Sequence, residues 1–144
     1  MKTTNLKTAA ITALFGIGLL AGCTNSTTNQ KTSDMKTLNL TQEWDKTFPQ
    51  SDKVNHSKVT FTNRYGITLA ADMYVPKNAT GKLPAIAVCG PFGAVKEQAA
   101  GLYAQTMAER GFLTVAFDPS YTGESGGEPR YVVSPDINTE DFSA

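Results

Sequence analysis

The stretch Pro84-Ala85-Ile86-Ala87-Val88-Cys89-Gly90-Pro91-Phe92-Gly93 decides how the rest of the chain is read. Its first half is apolar at successive positions, the pattern of a strand covered on both faces by helices. Its second half is a Gly- and Pro-rich loop. Beyond it, Val95, Ala99, Leu102, Tyr103, Thr106 and Met107 recur at helical spacing, and Gly111 follows Arg110 as a stop signal. Phe112 to Phe117 is again apolar on both faces. Strand, helix and strand at this spacing predict a parallel crossover unit.

Upstream the period is two. Val59 and Phe61 alternate with Lys58, Thr60 and Thr62, and Asn63-Arg64-Tyr65-Gly66 supplies a turn. Then Ile67, Leu69, Ala71, Met73 and Val75 alternate with Thr68, Ala70, Asp72 and Tyr74, until Pro76 ends the run. Two alternating strands around a Gly-containing turn predict a β-hairpin with one buried face. Joined to the crossover unit it gives a mixed sheet, so the fold class is α/β. Downstream, Asn138-Thr139-Glu140-Asp141 opens a further helix close to Ala144.

The N-terminal residues read as an address. Lys2 and Lys7 form a positive start, and Ala9 to Leu20 form an apolar run too short to span a bilayer. The run ends in Leu20-Ala21-Gly22-Cys23, which resembles the lipobox of bacterial lipoproteins. The resemblance implies a signal peptide over 1–22, cleavage before Cys23, lipidation of its thiol, and a membrane as the partner of the lipid. Thr24 after the Cys implies the outer membrane in a Gram-negative cell, or the outer face of the plasma membrane in a Gram-positive one. Residues 23–40 are polar and poor in apolar side chains, the composition of a disordered tether. The folded body is expected over residues 41–144, one domain at most.

Bulk composition excludes several classes of function. Lys plus Arg equal Asp plus Glu at 13 each, so no basic patch argues for a nucleic-acid partner and no acidic tail argues for a basic one. Cys23 and Cys89 lack Cys or His neighbours at ligand spacing, so neither a metal site nor a cofactor is expected. The single histidine, His56, stands in a polar stretch ahead of the first strand and reads as a surface residue. Lys96-Glu97-Gln98 reads as a solvated helix start, with Glu97 or Gln98 bracing the mouth of a site as the alternative.

The order of elements and two loops together resemble the α/β-hydrolases, in the dienelactone-hydrolase-like and X-Pro dipeptidyl-peptidase-like branch. The loops lie in Pro84 through Gln98 and in Phe117 through Gly127. The resemblance implies that the first loop donates a backbone N–H to an oxyanion hole. Pro91 has no N–H, so Phe92 is the donor candidate, with Gly90 and Gly93 leaving room for the approach. The family often carries His where Gly90 stands and Gly where Ala94 stands. Gly123-Glu124-Ser125-Gly126-Gly127 matches the G-x-S-x-G nucleophile signature. That motif works only directly between a strand and a helix, whereas here the strand ends near Phe117 and Pro129 stands where the helix would be under way. The stretch fits instead the D-x-x-G-x-G-x-S loop of the same family, with Asp118 and Ser125 organising turns and Tyr121 in place of the first Gly.

No catalytic residue is therefore assigned within the 144 residues. The resemblance implies that the nucleophile elbow, the acid and the base histidine follow the helix near Glu140. The expected body is the N-terminal part of an α/β-hydrolase fold, ending before the elbow and inactive by itself. In spatial order 1-2-4-3-5, the strand Ala85 to Cys89 loses its fifth-strand neighbour and becomes an open edge, suited to self-association or strand addition. A surface lipoprotein using the half-sheet as a binding module, and one half of a split hydrolase, are the alternative readings.

Overall fold

The computed structural model describes residues 37–144; the signal-like segment 1–22, Cys23 and the tether up to residue 36 lie outside the described residues. After an irregular segment, β1 (Val54–Thr62) and β2 (Thr68–Pro76) form an antiparallel hairpin. Its turn closes as expected. Gly66 adopts φ 77° and its N–H donates to Asn63 O at 2.9 Å, a left-handed conformation that glycine takes without steric cost.

Then come β3 (Ala85–Cys89), α1 (Ala99–Glu109), β4 (Leu113–Phe117) and α2 (Pro135–Asp141). β4 inserts between β2 and β3, antiparallel to the first and parallel to the second, giving the order β1-β2-β4-β3. β3 stands at the end of the sheet, the edge position expected of it.

Strand alternation sorts the core into two layers. On one face Val54, Tyr74 and Ala116 meet Ala104 and Ala108 of α1, with Trp44 and Val88 packed alongside. On the other, Leu69, Ala71 and Phe117 meet Val59, Phe61 and Val115. The Phe142 ring caps Phe117 edge-on at 4.8 Å.

Several expectations are corrected. The first strand begins at Val54, so His56 belongs to β1 and is half-buried, with Nε2 2.7 Å from Asp72 Oδ1. β2 is buried on both faces, because the side holding Asp72 and Tyr74 is covered by α1 and by residues 44–48. α1 begins at Ala99 and buries Ala100, Gly101, Ala104, Gln105 and Ala108, leaving Leu102 and Tyr103 exposed. Small side chains let the helix sit close: a Cβ on Gly101 would lie 2.2 Å from Lys96 O and 3.1 Å from the Phe48 ring. The final helix starts at Pro135, three residues earlier than Asn138 suggested. β3, expected to be covered on both faces, keeps Ala85 and Ala87 exposed.

Candidate active site

The loop after β3 is a tight turn. Ala94 N–H donates to Pro91 O at 2.9 Å, and Gly93 has φ 81°. A closed four-residue turn with its third residue left-handed has the pattern of a type II turn, with Phe92 at the second position. The Phe92 N–H enters no hydrogen bond among the described residues, and its side chain is 69% exposed.

The two glycines of the loop do different work. A Cβ on Gly93 would meet nothing within 4 Å, so glycine is there for its backbone angle. A Cβ on Gly90 would stand 2.8 Å from Ala94 Cβ. With alanine at 94, a side chain at 90 would force one of the two positions to shift.

The turn borders a cavity of about 340 Å³ lined by Cys89, Gly90, Phe92, Gly93, Pro119, Thr122, Val132, Val133, Pro135, Asn138 and Phe142. It lies at the C-terminal ends of β3 and β4, where ligands bind in open α/β sheets. Burial pushes the Cys89 thiol up to about 11, with Asp118 and Asp141 adding to the effect. Cys89 is therefore a neutral thiol at physiological pH and a poor nucleophile.

Behind the turn lies a buried ionic cluster that sequence reasoning read wrongly. Lys96 is 1% exposed, not solvated. Its Nζ donates to Asp118 Oδ2 at 2.8 Å, lies 2.8 Å from Glu124 Oε2, and also contacts Glu97. Asp118 Oδ1 accepts the Lys96 backbone N–H at 2.8 Å, and Oδ2 accepts the Glu124 N–H at 2.9 Å. Burial disfavours the Lys96 charge, but Asp118 and the hydrogen bonds Lys96 donates to Glu124 and Glu97 outweigh it and hold the ammonium well above its ordinary value. Burial likewise opposes the Glu124 carboxylate, yet Lys58 and Lys96 hold it down at about 2. Asp45, Glu97 and Glu124 bring carboxylate oxygens within 4.8 Å of one another. The cations among them are lysines: Lys58 Nζ lies 2.6 Å from Glu124, 3.6 Å from Asp45 and 3.7 Å from Glu97.

The second loop behaves as a turn. Ser125 is 2% exposed; its hydroxyl donates to Asp118 O at 2.6 Å and accepts the Ala70 N–H at 2.8 Å. Both capacities are committed to backbone, and His56 is engaged elsewhere with Asp72. Tyr121, standing where the family has glycine, adopts φ 72°. Its ring occupies the space beside Gly127, where a Cβ would meet it at 2.5 Å.

One further residue escaped sequence reasoning. Asp141, 1% exposed, accepts from Asn63 Nδ2 at 2.8 Å, Ser120 Oγ at 2.7 Å and Ser120 N–H at 2.8 Å. It thereby ties α2 to the hairpin turn and to the loop after β4. The available signal was Asn63 itself, whose Oδ1 accepts the N–H groups of Tyr65 and Ile67 and whose amide is left pointing inward.

Known proteins match this arrangement. The model of the X-Pro dipeptidyl-peptidase (S15) family matches residues 65–143. Protein PA2218 of Pseudomonas aeruginosa is 72% identical over 130 residues, covering 87% of this chain and 35% of its own length. YcjY of Escherichia coli is 50% identical over 93 residues, covering 62% of this chain and 30% of YcjY. The crystal structure of PA2218 superposes with a TM-score of 0.73 at 79% identity, over 75% of this chain and 34% of that one. The α/β-hydrolase GrgF from Penicillium sp. sh18 gives a TM-score of 0.54 at 29% identity, over 62% of this chain and 30% of GrgF. The chain thus spans about a third of the length of the curated relatives it matches. It belongs to the X-Pro dipeptidyl-peptidase (S15) family, and its mixed sheet is that of the N-terminal portion of an α/β-hydrolase.

Proposed function

We propose that the chain is the N-terminal part of a lipid-anchored hydrolase that cleaves acyl bonds. It supplies one wall of the active site and one oxyanion-hole donor, the Phe92 N–H. The observation that carries this reading is that N–H itself, uncommitted on a rigid turn, beside a cavity at the C-terminal end of a parallel strand. In acyl transfer a nucleophile adds to the carbonyl carbon and the oxygen takes up negative charge, which a fixed N–H stabilises without reorganisation. Nucleophile, acid and base histidine come from chain beyond residue 144, packed against the open edge of β3. These residues alone then carry out no turnover.

The anchor is Cys23, acylated after export, which holds the enzyme on the envelope; buried acyl chains contribute about 0.8 kcal/mol per CH₂. Two measurements test the proposal. A product extended to the length of the relatives should hydrolyse p-nitrophenyl esters, and the 144-residue chain should not. Metabolic labelling with an alkynyl fatty acid should mark the protein and should be lost in Cys23→Ser. Absence of ester turnover in the complete product, or labelling that survives the substitution, overturns the corresponding half. The unpaired edge of β3 favours a second reading, strand addition by a partner or a second copy. A complete product without hydrolase activity, and a 144-residue chain that dimerises through Ala85–Cys89, would support it.

A further inference from the structure

We infer that residues 41–51 form a strap that positions the Phe92 turn, acting on it through the Glu97 carbonyl; the catalytic consequence rests on the hydrolase reading above. The strap precedes β1 and lies ahead of residues 65–143, the part matched by the family. It reaches both loops of the candidate site. Thr47 N–H donates to Glu97 O at 3.0 Å, and the Thr47 hydroxyl donates to the same oxygen at 3.3 Å. Thr41 N–H donates to Glu124 Oε1 at 2.6 Å. Asp45 Oδ2 lies 3.6 Å from Lys58 Nζ, the ammonium that also meets Glu97 and Glu124. The exit of the turn is thus held from two sides: Asp118 accepts the Lys96 N–H, and the strap donates to the carbonyl of the next residue.

The strap is itself seated on the body of the fold. Phe48 is buried, with its ring against Gly101 of α1. Lys46, whose side chain is buried, brings Nζ to 3.1 Å from Asp72 Oδ2 on β2. Gln105 of α1 accepts the Ser51 N–H at 3.1 Å and donates to Pro49 O at 3.0 Å. Trp44 Nε1 donates to Phe48 O at 2.8 Å, and its ring meets His56 of β1 edge-on at 5.2 Å. β1 and β2 form the end of the sheet opposite β3, so chain packed against β3 leaves these contacts in place. An oxyanion donor acts only where its position is held, and a misplacement of about 1 Å can cost about 100-fold. The strap therefore sets kcat and not substrate affinity.

Trp44 is the single tryptophan of the chain, so its emission reports the strap directly. In the 144-residue chain, Gln105→Ala and Phe48→Ala should shift that emission to longer wavelength with the far-UV circular dichroism unchanged. Gln105→Ala removes only hydrogen bonds, and it carries the test should Phe48→Ala fail to fold. Amide exchange should quicken about tenfold at Ala94, Lys96 and Gln98, the hydrogen-bonded amides of the turn and its exit, and not along the β1–β2 ladder. Leu69→Ala, a cavity on the other face of the sheet, should leave the emission in place and quicken no amide of the turn ahead of the ladder. A shifted emission with unaltered exchange at Ala94, Lys96 and Gln98 would overturn the inference, as would an emission unmoved in every folded strap variant. In the product extended to the length of the relatives, the strap variants should lower kcat for an acetyl ester about tenfold with KM unchanged, whereas Leu69→Ala should keep its kcat. Equal losses of kcat in all the variants would also overturn it. If the extended product turns over no ester, the hydrolase reading fails, and the exchange measurement alone decides whether the strap holds the turn.

Discussion

Asp118 holds Lys96 twice: one carboxylate oxygen accepts the Lys96 backbone N–H at 2.8 Å and the other its side-chain ammonium at 2.8 Å. Lys96 stands just after Ala94, the residue that closes the Phe92 turn, with only Val95 between them. The pair therefore fixes the exit of the loop after β3 against the end of β4. Removing Asp118 takes one of three carboxylates from Lys96 and leaves the backbone N–H groups of Lys96 and Glu124 without their acceptor, at about 3–5 kcal/mol in all. Asp118→Ala should lower the free energy of unfolding by that amount in urea titration. A loss of under about 1 kcal/mol, the range of a solvent-exposed pair, would show that the pair does not hold the loop.

Acid should weaken the same cluster through Glu124. Its carboxylate sits at about 2 in the fold against an ordinary 4.5. A depressed acid contributes stability that is present above its unfolded value and is lost as pH falls towards the folded one. Stability should decline between about pH 4.5 and about pH 2, and Glu124→Gln should flatten that slope in thermal melts. Lys96 is shifted upward, so its contribution is intact below its unfolded value of 10.5 and fades only in stronger alkali.

Ser125 should matter to folding and not to chemistry. Ser125→Ala strands the buried Ala70 N–H and removes one hydrogen bond to Asp118 O, which costs about 1–3 kcal/mol. The melting temperature should fall, while the ester hydrolysis proposed above for the extended product should keep its kcat. Loss of kcat in a folded variant would restore Ser125 as a nucleophile candidate.

The close seating of α1 is also testable. Alanine is favoured over glycine within a helix by about 0.5–1 kcal/mol. At position 101, however, the new Cβ would lie 2.2 Å from the Lys96 carbonyl oxygen, a backbone atom with little freedom to move. Overpacking of this kind costs about 1–3 kcal/mol, so Gly101→Ala should destabilise despite its propensity gain. Stabilisation in urea titration would mean that the helix stands off the loop.

Local chemistry was legible in the sequence, and long-range pairing was not. The Asn63–Gly66 turn, the crossover from β3 to β4, the Gly111 stop and the turn role of Ser125 each depend on neighbouring residues. The ionic cluster depends on sheet register, which brings Lys58, Lys96, Asp118 and Glu124 together from distant parts of the chain. Taken singly, Lys96 looked like a solvated helix start and Asp118 like a turn former. The buried face of α1 was misread because counting hydrophobicity ranks Leu102 and Tyr103 above Ala100, Gly101, Ala104 and Ala108. Close approach selects the small residues, and their spacing along one helix face was the overlooked signal.

The oxyanion role proposed for Phe92 is tested most directly by removing its N–H without disturbing the turn. Proline is favoured at the second position of a type II turn, so Phe92→Pro should fold, and Phe92→Ala controls for loss of the ring. In the complete gene product, kcat for an acetyl ester should fall about 100- to 1,000-fold in Phe92→Pro, the loss expected for one oxyanion donor, and far less in Phe92→Ala. A folded Phe92→Pro protein with undiminished kcat would contradict the account.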